Sequence, residues 1–158
     1  MINIYVHIAL LRRDQVFLLR RNRTGFLDGF FCLPGGHLEK DENPAQGALR
    51  ECREECGIVP SQSPELLAAL RFQFDSREGL NFIYRCFLQE SDPQPFNAEP
   101  HLHDRVDFFP VDNLPAEIPG WLRALAQPLS LELEHQLSQK SQSIQGYRPR
   151  TPLYKEFQ

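Results

Sequence analysis

The start of the chain shows the two-residue alternation of a β-strand. Apolar side chains fill every second position from Ile2 to Leu10, and the positions between them hold Asn3, Tyr5, His7 and Ala9. Because successive side chains of a strand point to opposite faces of a sheet, this pattern predicts a strand over residues 2–11. A second apolar run at residues 16–20, after the polar segment 12–15, predicts a second strand that follows a turn.

Residues 44–56 show helical periodicity instead. Their apolar positions form one stripe three or four residues apart, made by Ala45, Ala48, Leu49, Cys52 and Cys56. Asn43 stands where an N-cap is expected, Pro44 at the first helical position, and Gly57 where a C′ residue adopts the left-handed conformation. The helix is therefore predicted to bury one side and to leave its acidic residues on another.

The remaining periodic segments complete an α/β pattern. Short strands are predicted at residues 31–33, 66–74, 81–89 and 106–111, and a second helix at 121–137 with a stripe at Leu122, Leu125, Leu129 and Leu133. The Pro34-Gly35-Gly36 segment is predicted to be a loop whose backbone can come close to a ligand. Residues 1–137 are thus expected to form one α/β layered domain, with helices on both faces of a mixed sheet. Residues 138–158 are expected to form a polar linker and a C-terminal tail, which packs on a protein surface after Gly146.

Charge and composition narrow the range of partners. The chain has 158 residues and a net charge of −4, and residues 39–55 alone carry six acids against three bases. No basic field is present that would attract a nucleic-acid polymer, and no apolar stretch is as long as the ~18 residues of a membrane span. The four cysteines show no Cys-x-x-Cys spacing, so buried thiols are a simpler interpretation than a zinc site. With a strand rather than a signal peptide at the N-terminus, the chain is expected to be cytoplasmic and reduced.

Three carboxylates share one face of the predicted helix. Glu51, Glu54 and Glu55 are three or four residues apart or adjacent, and like charges this close repel one another unless a cation lies between them. Hard oxygen ligands of this kind suit Mg²⁺ or Mn²⁺ bound together with substrate phosphates. A solvated acidic helix face is the alternative interpretation. Arg50 is four residues before Glu54, so it can orient that carboxylate by charge-assisted hydrogen bonds.

The spacing of these residues resembles the signature of the Nudix hydrolases. The pattern is Gly36-x5-Glu42-x7-Arg50-Glu51-Cys52-x-Glu54-Glu55-x-Gly57-Ile58 and covers 23 residues, from Gly36 to Ile58. Cys52 replaces a bulky aliphatic residue, and Asp41 replaces a glycine that is often found there. The resemblance implies a Nudix-type α/β/α sandwich with a mixed β-sheet, and cleavage of a phosphoanhydride with Mg²⁺ or Mn²⁺ as cofactor.

The same resemblance implies roles for the signature residues. Glu51 and Glu55 are expected to be metal ligands, Glu54 is left as ligand or general base, and the Gly35 carbonyl is a further candidate ligand. Glu42 is expected to fix the geometry between loop and helix rather than to touch the substrate. Gly36 and Gly57 are expected to be structural.

Outside the signature the candidates are fewer. Arg20, Arg21 and Arg23 are positioned to meet phosphate oxygens, with a solvated cluster as the alternative, and Glu99 stands where relatives carry another acid near the metal. His101 and His103 are expected to be surface-loop residues. Aromatic and imidazole rings that could stack on a base are contributed by Tyr5, His7, Phe26, Phe82 and Trp121.

The resemblance extends most clearly to the small MutT-like branch of the family. It implies hydrolysis of a nucleoside triphosphate, with a normal or modified base, to monophosphate and pyrophosphate. ADP-ribose or a nucleoside-diphosphate sugar is the alternative substrate, and a catalytically weak nucleotide-binding or interaction module is an alternative of another class. The expected partner is a small nucleotide, with no nucleic-acid polymer and no membrane, and a homodimer is left open.

Overall fold

A computed structural model describes residues 2–74 and 77–129 of the chain. In these ranges a seven-stranded sheet is formed by β1 (Asn3–Arg12), β2 (Gln15–Arg21), β3 (Phe31–Cys32), β4 (Gly35–His37), β5 (Glu65–Phe74), β6 (Arg77–Phe87) and β7 (His103–Pro110). Helix α1 spans Pro44–Cys56, and residues 120–129 belong to a second helix, α2. Among the described residues, no helix combines the length and the apolar character that a membrane crossing requires.

Strand β1 is the centre of the sheet and pairs with three other strands. It runs parallel to β6 over nine residue pairs, from Asn3 opposite Gly79 to Leu11 opposite Phe87. On its other edge, its first half pairs antiparallel with β4, and only Leu11 and Arg12 pair with β2. The sheet is therefore mixed, as predicted, and it splits along β1. The split lets β4 enter beside β1 and come next to α1.

Two apolar layers form on the two faces of β1 because its side chains alternate. Val6, Ile8 and Leu10 pack with the α1 stripe of Ala48, Cys52 and Cys56, all fully buried. The opposite face packs with α2 through Ala9, Leu11, Leu122, Leu125 and Leu129. One helix thus covers each face of the sheet, which confirms the predicted three-layer arrangement. All four cysteines are buried and none forms a disulfide.

Helix α1 begins and ends at the predicted residues because both ends carry matching caps. The Asn43 side chain accepts a hydrogen bond from the Gln46 backbone N–H (2.9 Å), and the Gln46 side chain accepts one from the Asn43 N–H (3.2 Å). At the other end Gly57 adopts φ 68° and donates its N–H to Arg53 O. A Cβ at Gly57 would also collide with the Phe96 ring.

Three local predictions differ from the structure. Gly35–His37 is a strand rather than a loop, because the backbone of β1 supplies its hydrogen-bonding partner. Strand β6 begins at Arg77 and not at residue 81, because its first residues already pair with the end of β5. Strand β7 begins at His103, three residues before the predicted start. The second helix agrees with its prediction as far as residue 129, and the predicted linker and tail at 138–158 lie outside the described residues.

The N-cap of α1 gives a test of this local analysis. Asn43→Ala should lower the free energy of unfolding by about 1 kcal/mol, because it removes the acceptor for the Gln46 N–H. Asn43→Ser retains a capping oxygen and should stay within a few tenths of a kcal/mol of the unmodified chain. Urea denaturation of the three proteins measures the difference, and equal loss in both variants would contradict the capping argument.

Candidate active site

A cleft of about 1140 Å³ opens where β1, β4 and α1 meet the β5–β6 hairpin and the start of α2. One part of its lining, the acidic wall, consists of the carboxylates of Glu51, Glu55 and Glu99. The lining also contains cationic side chains and aromatic rings, from Arg21, Arg71, Arg77, Tyr5, Phe26, Phe30, Phe72 and Trp121. The cleft therefore combines oxygen ligands for a cation, cations for an anionic group and flat apolar surfaces.

Strand β4 brings glycine backbone directly against the acids of α1. The Gly35 N–H donates a hydrogen bond to Glu55 Oε2 (2.8 Å). A Cβ on Gly36 would lie only 2.5 Å from Glu51 Oε1, so no side chain fits there without moving the carboxylate. A larger residue at position 36 would therefore displace the Glu51 carboxylate.

Arg50 connects four groups around the base of the acidic wall. Its Nε and Nη2 donate to the two oxygens of Glu42 (2.9 and 3.2 Å), and its Nη1 donates to Glu51 (2.7 Å) and Glu54 (3.1 Å). Nη2 also donates to the His37 carbonyl, at the end of β4. The predicted pair with Glu54 is therefore present, but the bidentate partner is Glu42. Through these bonds one guanidinium joins α1, β4 and the loop before α1.

Glu55 is the most deeply placed acid of the cluster, with a side chain that is 10% exposed. Burial raises its pKa to about 8, and the nearby Glu51 and Glu99 carboxylates act in the same direction against the Gly35 hydrogen bond. Burial also raises the pKa of Glu51, although Arg50 opposes this shift. The raised pKa values of Glu51 and Glu55 indicate that the positive charge near Glu55 is too small to compensate the carboxylates.

His103 lies beside Glu55, although the sequence had suggested a surface position. Its side chain is 3% exposed, and its Nε2 is 3.5 Å from Glu55 Oε1. Burial lowers the pKa of His103 to about 4, with a smaller contribution from the positive charge of Arg21. The expectation was correct for His101, which is exposed, and wrong for His103, because the early start of β7 turns this residue inward.

Only some of the candidate residues outside the signature line the cleft. Arg21 lines the cleft and donates its Nε–H to Phe26 O, and Glu99 lines the cleft near Glu55. Arg20 instead forms a bidentate pair with Asp104 (2.7 and 3.1 Å) outside the cleft lining, and Arg23 is also absent from that lining. The register of the β2–β7 pairing shifts between Arg20 and Arg21, where these neighbours diverge.

Several cleft residues carried no specific signal in the sequence. Arg71, Arg77 and Asn81 come from strands β5 and β6, and the sequence pattern there predicted strands without singling out these residues. The expected ring candidates are mostly in place, since the cleft lining includes Tyr5, His7, Phe26 and Trp121. Phe82 is the exception, because it packs against the apolar layer beneath α1.

The donor set suits a divalent cation. One oxygen of Glu55, one oxygen of Glu99 and one nitrogen of His103 all lie within 4.8 Å of one another. Carboxylate oxygens are common ligands of Mg²⁺ and Mn²⁺, and imidazole is a common ligand of transition ions. A bound cation would also lower the raised pKa values, because it favours the charged form of each carboxylate. The roles of Glu51, Glu54, Glu55 and the Gly35 carbonyl as ligands stay predictions.

The family is established by comparison with known proteins. The model of the NUDIX domain family matches residues 1–128, which is most of the chain. The chain therefore belongs to the Nudix family of hydrolases. The match includes the Gly36–Ile58 signature, the glycine strand β4 and the cleft described above.

Individual relatives place the chain near MutT-type proteins. It is 38% identical over 66 residues to a protein of Proteus vulgaris named 8-oxo-dGTP diphosphatase, covering 42% of this chain and 58% of that protein. It is 43% identical over 77 residues to an RNA pyrophosphohydrolase of Xanthomonas oryzae pv. oryzae, covering 46% of this chain and 35% of that protein. The chain thus spans less than two thirds of the length of either relative.

A solved structure supports the same fold. The crystal structure of a MutT NUDIX hydrolase from Burkholderia pseudomallei superposes with a TM-score of 0.73 at 22% sequence identity. The superposition covers 81% of this chain and 98% of that one. At this identity the likeness concerns the fold, and it confirms the predicted Nudix architecture.

The buried Glu55 predicts how stability depends on pH in the absence of metal. Its folded pKa of about 8 is above the ordinary value of 4.5, so its contribution is complete at low pH and is lost as the pH rises through 8. Between pH 6.5 and 8.5 the free energy of unfolding in EDTA should fall by roughly 1–2 kcal/mol from this group. Glu55→Gln should lack this slope. Parallel slopes in the two proteins would show that Glu55 is ionised in the fold.

The hydrogen bonds of Arg50 predict that a change to lysine destabilises the fold more at position 50 than at an exposed position of the same helix. Arg50→Lys keeps the charge but cannot form the bidentate bond to Glu42 and reach Glu51, Glu54 and the His37 carbonyl as well. It should lower the free energy of unfolding by about 2 kcal/mol, the range of hydrogen bonds to charged groups. Arg53→Lys, at an exposed position of the same helix, is the matched control and should be neutral. Denaturant titration compares them, and equal stability of the two variants would refute the network's role.

Proposed function

We propose that this chain is a divalent-metal-dependent pyrophosphohydrolase that converts a nucleoside triphosphate to the monophosphate and pyrophosphate. The observation that carries the proposal is the meeting of an acidic wall, arginines and aromatic rings in one cleft of about 1140 Å³. Small-molecule pockets measure roughly 300–1,000 Å³, so the cleft is large enough for a whole nucleotide. Aromatic surfaces suit a base, and arginines suit phosphate oxygens.

Hydrolysis of a phosphoanhydride needs a positioned water, a proton acceptor and compensation of growing negative charge. Glu51, Glu55 and Glu99, together with the Gly35 carbonyl, would hold Mg²⁺ or Mn²⁺, which supplies positive charge at the diphosphate and acidifies bound water. Glu54 is 44% exposed, so it is accessible as a proton acceptor for the attacking water. Arg50 keeps Glu51 and Glu54 oriented, and Glu42 in turn orients Arg50. Arg21 is the arginine best placed to bind a phosphate oxygen.

The choice of substrate rests on the relatives and on charge. The names of the two curated relatives both describe removal of a diphosphate, from 8-oxo-dGTP in one and from RNA in the other. A net charge of −4 disfavours an RNA polymer as the main substrate, so a free nucleoside triphosphate is favoured. The four buried thiols support a reducing compartment, in agreement with a cytoplasmic nucleotide hydrolase.

A substrate screen tests the proposal directly. Canonical and 8-oxo nucleoside triphosphates, ADP-ribose, a nucleoside-diphosphate sugar and a 5′-triphosphorylated oligoribonucleotide are incubated with Mg²⁺ or Mn²⁺, and the products are separated by chromatography. Monophosphate and pyrophosphate from a free triphosphate is the expected result. Preferential cleavage of ADP-ribose or the sugar nucleotide would replace the proposed substrate class. No turnover of any substrate would favour a binding module.

Charge-neutral substitutions test two carboxylates of the signature on the substrate found by that screen. Glu54→Gln and Glu55→Gln should each lower kcat by at least ~100-fold with the fold retained, because metal binding and water activation both need the charge. Glu90→Gln, at an exposed position outside the cleft, should keep full activity. EDTA should abolish turnover. Near-normal kcat in both the Glu54 and the Glu55 variant at saturating Mg²⁺, or turnover in EDTA, would remove this site from the mechanism.

A further inference from the structure

Hydrogen bonds to its N–H and to its carbonyl fix the backbone of His103. Its N–H donates to Glu99 O (3.0 Å), and its carbonyl accepts a hydrogen bond from Asn97 Nδ2 (2.7 Å). The Ala98 N–H donates to Glu55 O, which attaches the same loop to the end of α1. These bonds bring Glu99 and His103 to Glu55 as a unit. The imidazole is therefore held beside the carboxylates by the fold.

The imidazole of His103 has too few partners for a buried ring. Its Nδ1 is sealed from solvent and has no hydrogen-bond partner among residues 2–74 and 77–129. Its Nε2 is 3.5 Å from Glu55 Oε1, beyond the usual 2.7–3.2 Å of a good hydrogen bond. Nε2 is thus the nitrogen that lies next to the Glu55 carboxylate without a hydrogen bond of ordinary length, and an unseen ion is one of the recognised explanations for a buried polar group of this kind.

An imidazole binds a metal ion through the lone pair of a ring nitrogen that carries no proton. Nε2 is the ring nitrogen next to Glu55, so it is in position to act as that ligand.

The distances fit coordination of one ion. Ligand atoms at opposite sides of an ion, each ~2.0–2.2 Å from it, are at most ~4.4 Å apart. The three donor atoms of Glu55, Glu99 and His103 lie within 4.8 Å of one another, so a shift of a few tenths of an ångström brings them together. Glu99 is only partly buried and can make that shift.

We propose that His103 supplies a nitrogen ligand to the metal site, so that this chain binds Mn²⁺ and similar transition ions in preference to Mg²⁺. The inference rests on the proposed metal-dependent function and adds a ligand that lies outside the Gly36–Ile58 signature. Imidazole suits first-row transition ions, whereas Mg²⁺ is bound by oxygen ligands and water. A site made of carboxylates alone would not make this distinction so strongly.

Electron spin echo spectroscopy of the full chain with Mn²⁺ alone tests the proposal without any substrate. The expected result is modulation from one imidazole ¹⁴N nucleus, which is lost in His103→Gln and retained in His101→Gln, the exposed histidine two residues earlier. Calorimetry should show the ratio of Mn²⁺ to Mg²⁺ affinity falling by at least ~10-fold in His103→Gln, because an oxygen replaces the nitrogen, and staying constant in His101→Gln. If His103→Gln does not fold, the ¹⁴N modulation of the unmodified chain still decides whether a histidine is bound.

The outcomes separate this inference from the proposed function. Mn²⁺ binding that depends on Glu55, without ¹⁴N modulation, overturns the nitrogen ligand and leaves the hydrolase proposal intact. Modulation that disappears in His37→Gln instead of His103→Gln assigns the nitrogen to the cleft histidine of β4 and also overturns the inference. Absence of Mn²⁺ binding, or binding that is unchanged in Glu55→Gln, contradicts the metal-dependent function itself.

Discussion

The site depends on holding several carboxylates close together against their mutual repulsion. Arg50 makes this arrangement stable, because a single guanidinium donates to Glu42, Glu51, Glu54 and the His37 carbonyl. A planar group with five donors can satisfy this many acceptors in fixed directions, and an ammonium group cannot. Without it, the acids of α1 would be left to repel one another, and β4 would lose its connection to the loop before the helix.

The position of that network follows from the division of the sheet along β1. Because β1 pairs with β2 only at its last two residues, its first half is free to pair with β4. Strand β4 then carries Gly35 and Gly36 against Glu55 and Glu51, where any side chain at position 36 would collide with a carboxylate. The same division opens the cleft between the two parts of the sheet. The acidic residues of the site and the cleft therefore have one structural origin.

Electrostatics divides the site into two zones. Near Arg50 the acids are compensated, and the pKa of Glu42 is held below its ordinary value by the hydrogen bond from the guanidinium. Deeper in the site, burial raises the pKa of Glu55, and the neighbouring ring of His103 stays neutral. A divalent cation is the natural complement of the second zone, because the charge of Arg21 compensates the acids there only in part.

Local features of the chain were predictable from the sequence because they depend on short spacings. The helix over 44–56 with its Asn43 and Gly57 caps, the alternation of β1 and the signature all follow from neighbours within a few residues. Tertiary structure alone decided which side chains enter the site. Arg20 and Arg21 are adjacent, yet one pairs with Asp104 outside the cleft and the other lines it. His103 reaches Glu55 across nearly fifty residues, and Gly35–His37 becomes a strand only because β1 provides a partner. Burial and pairing are set by contacts distant in sequence, and no local periodicity records them.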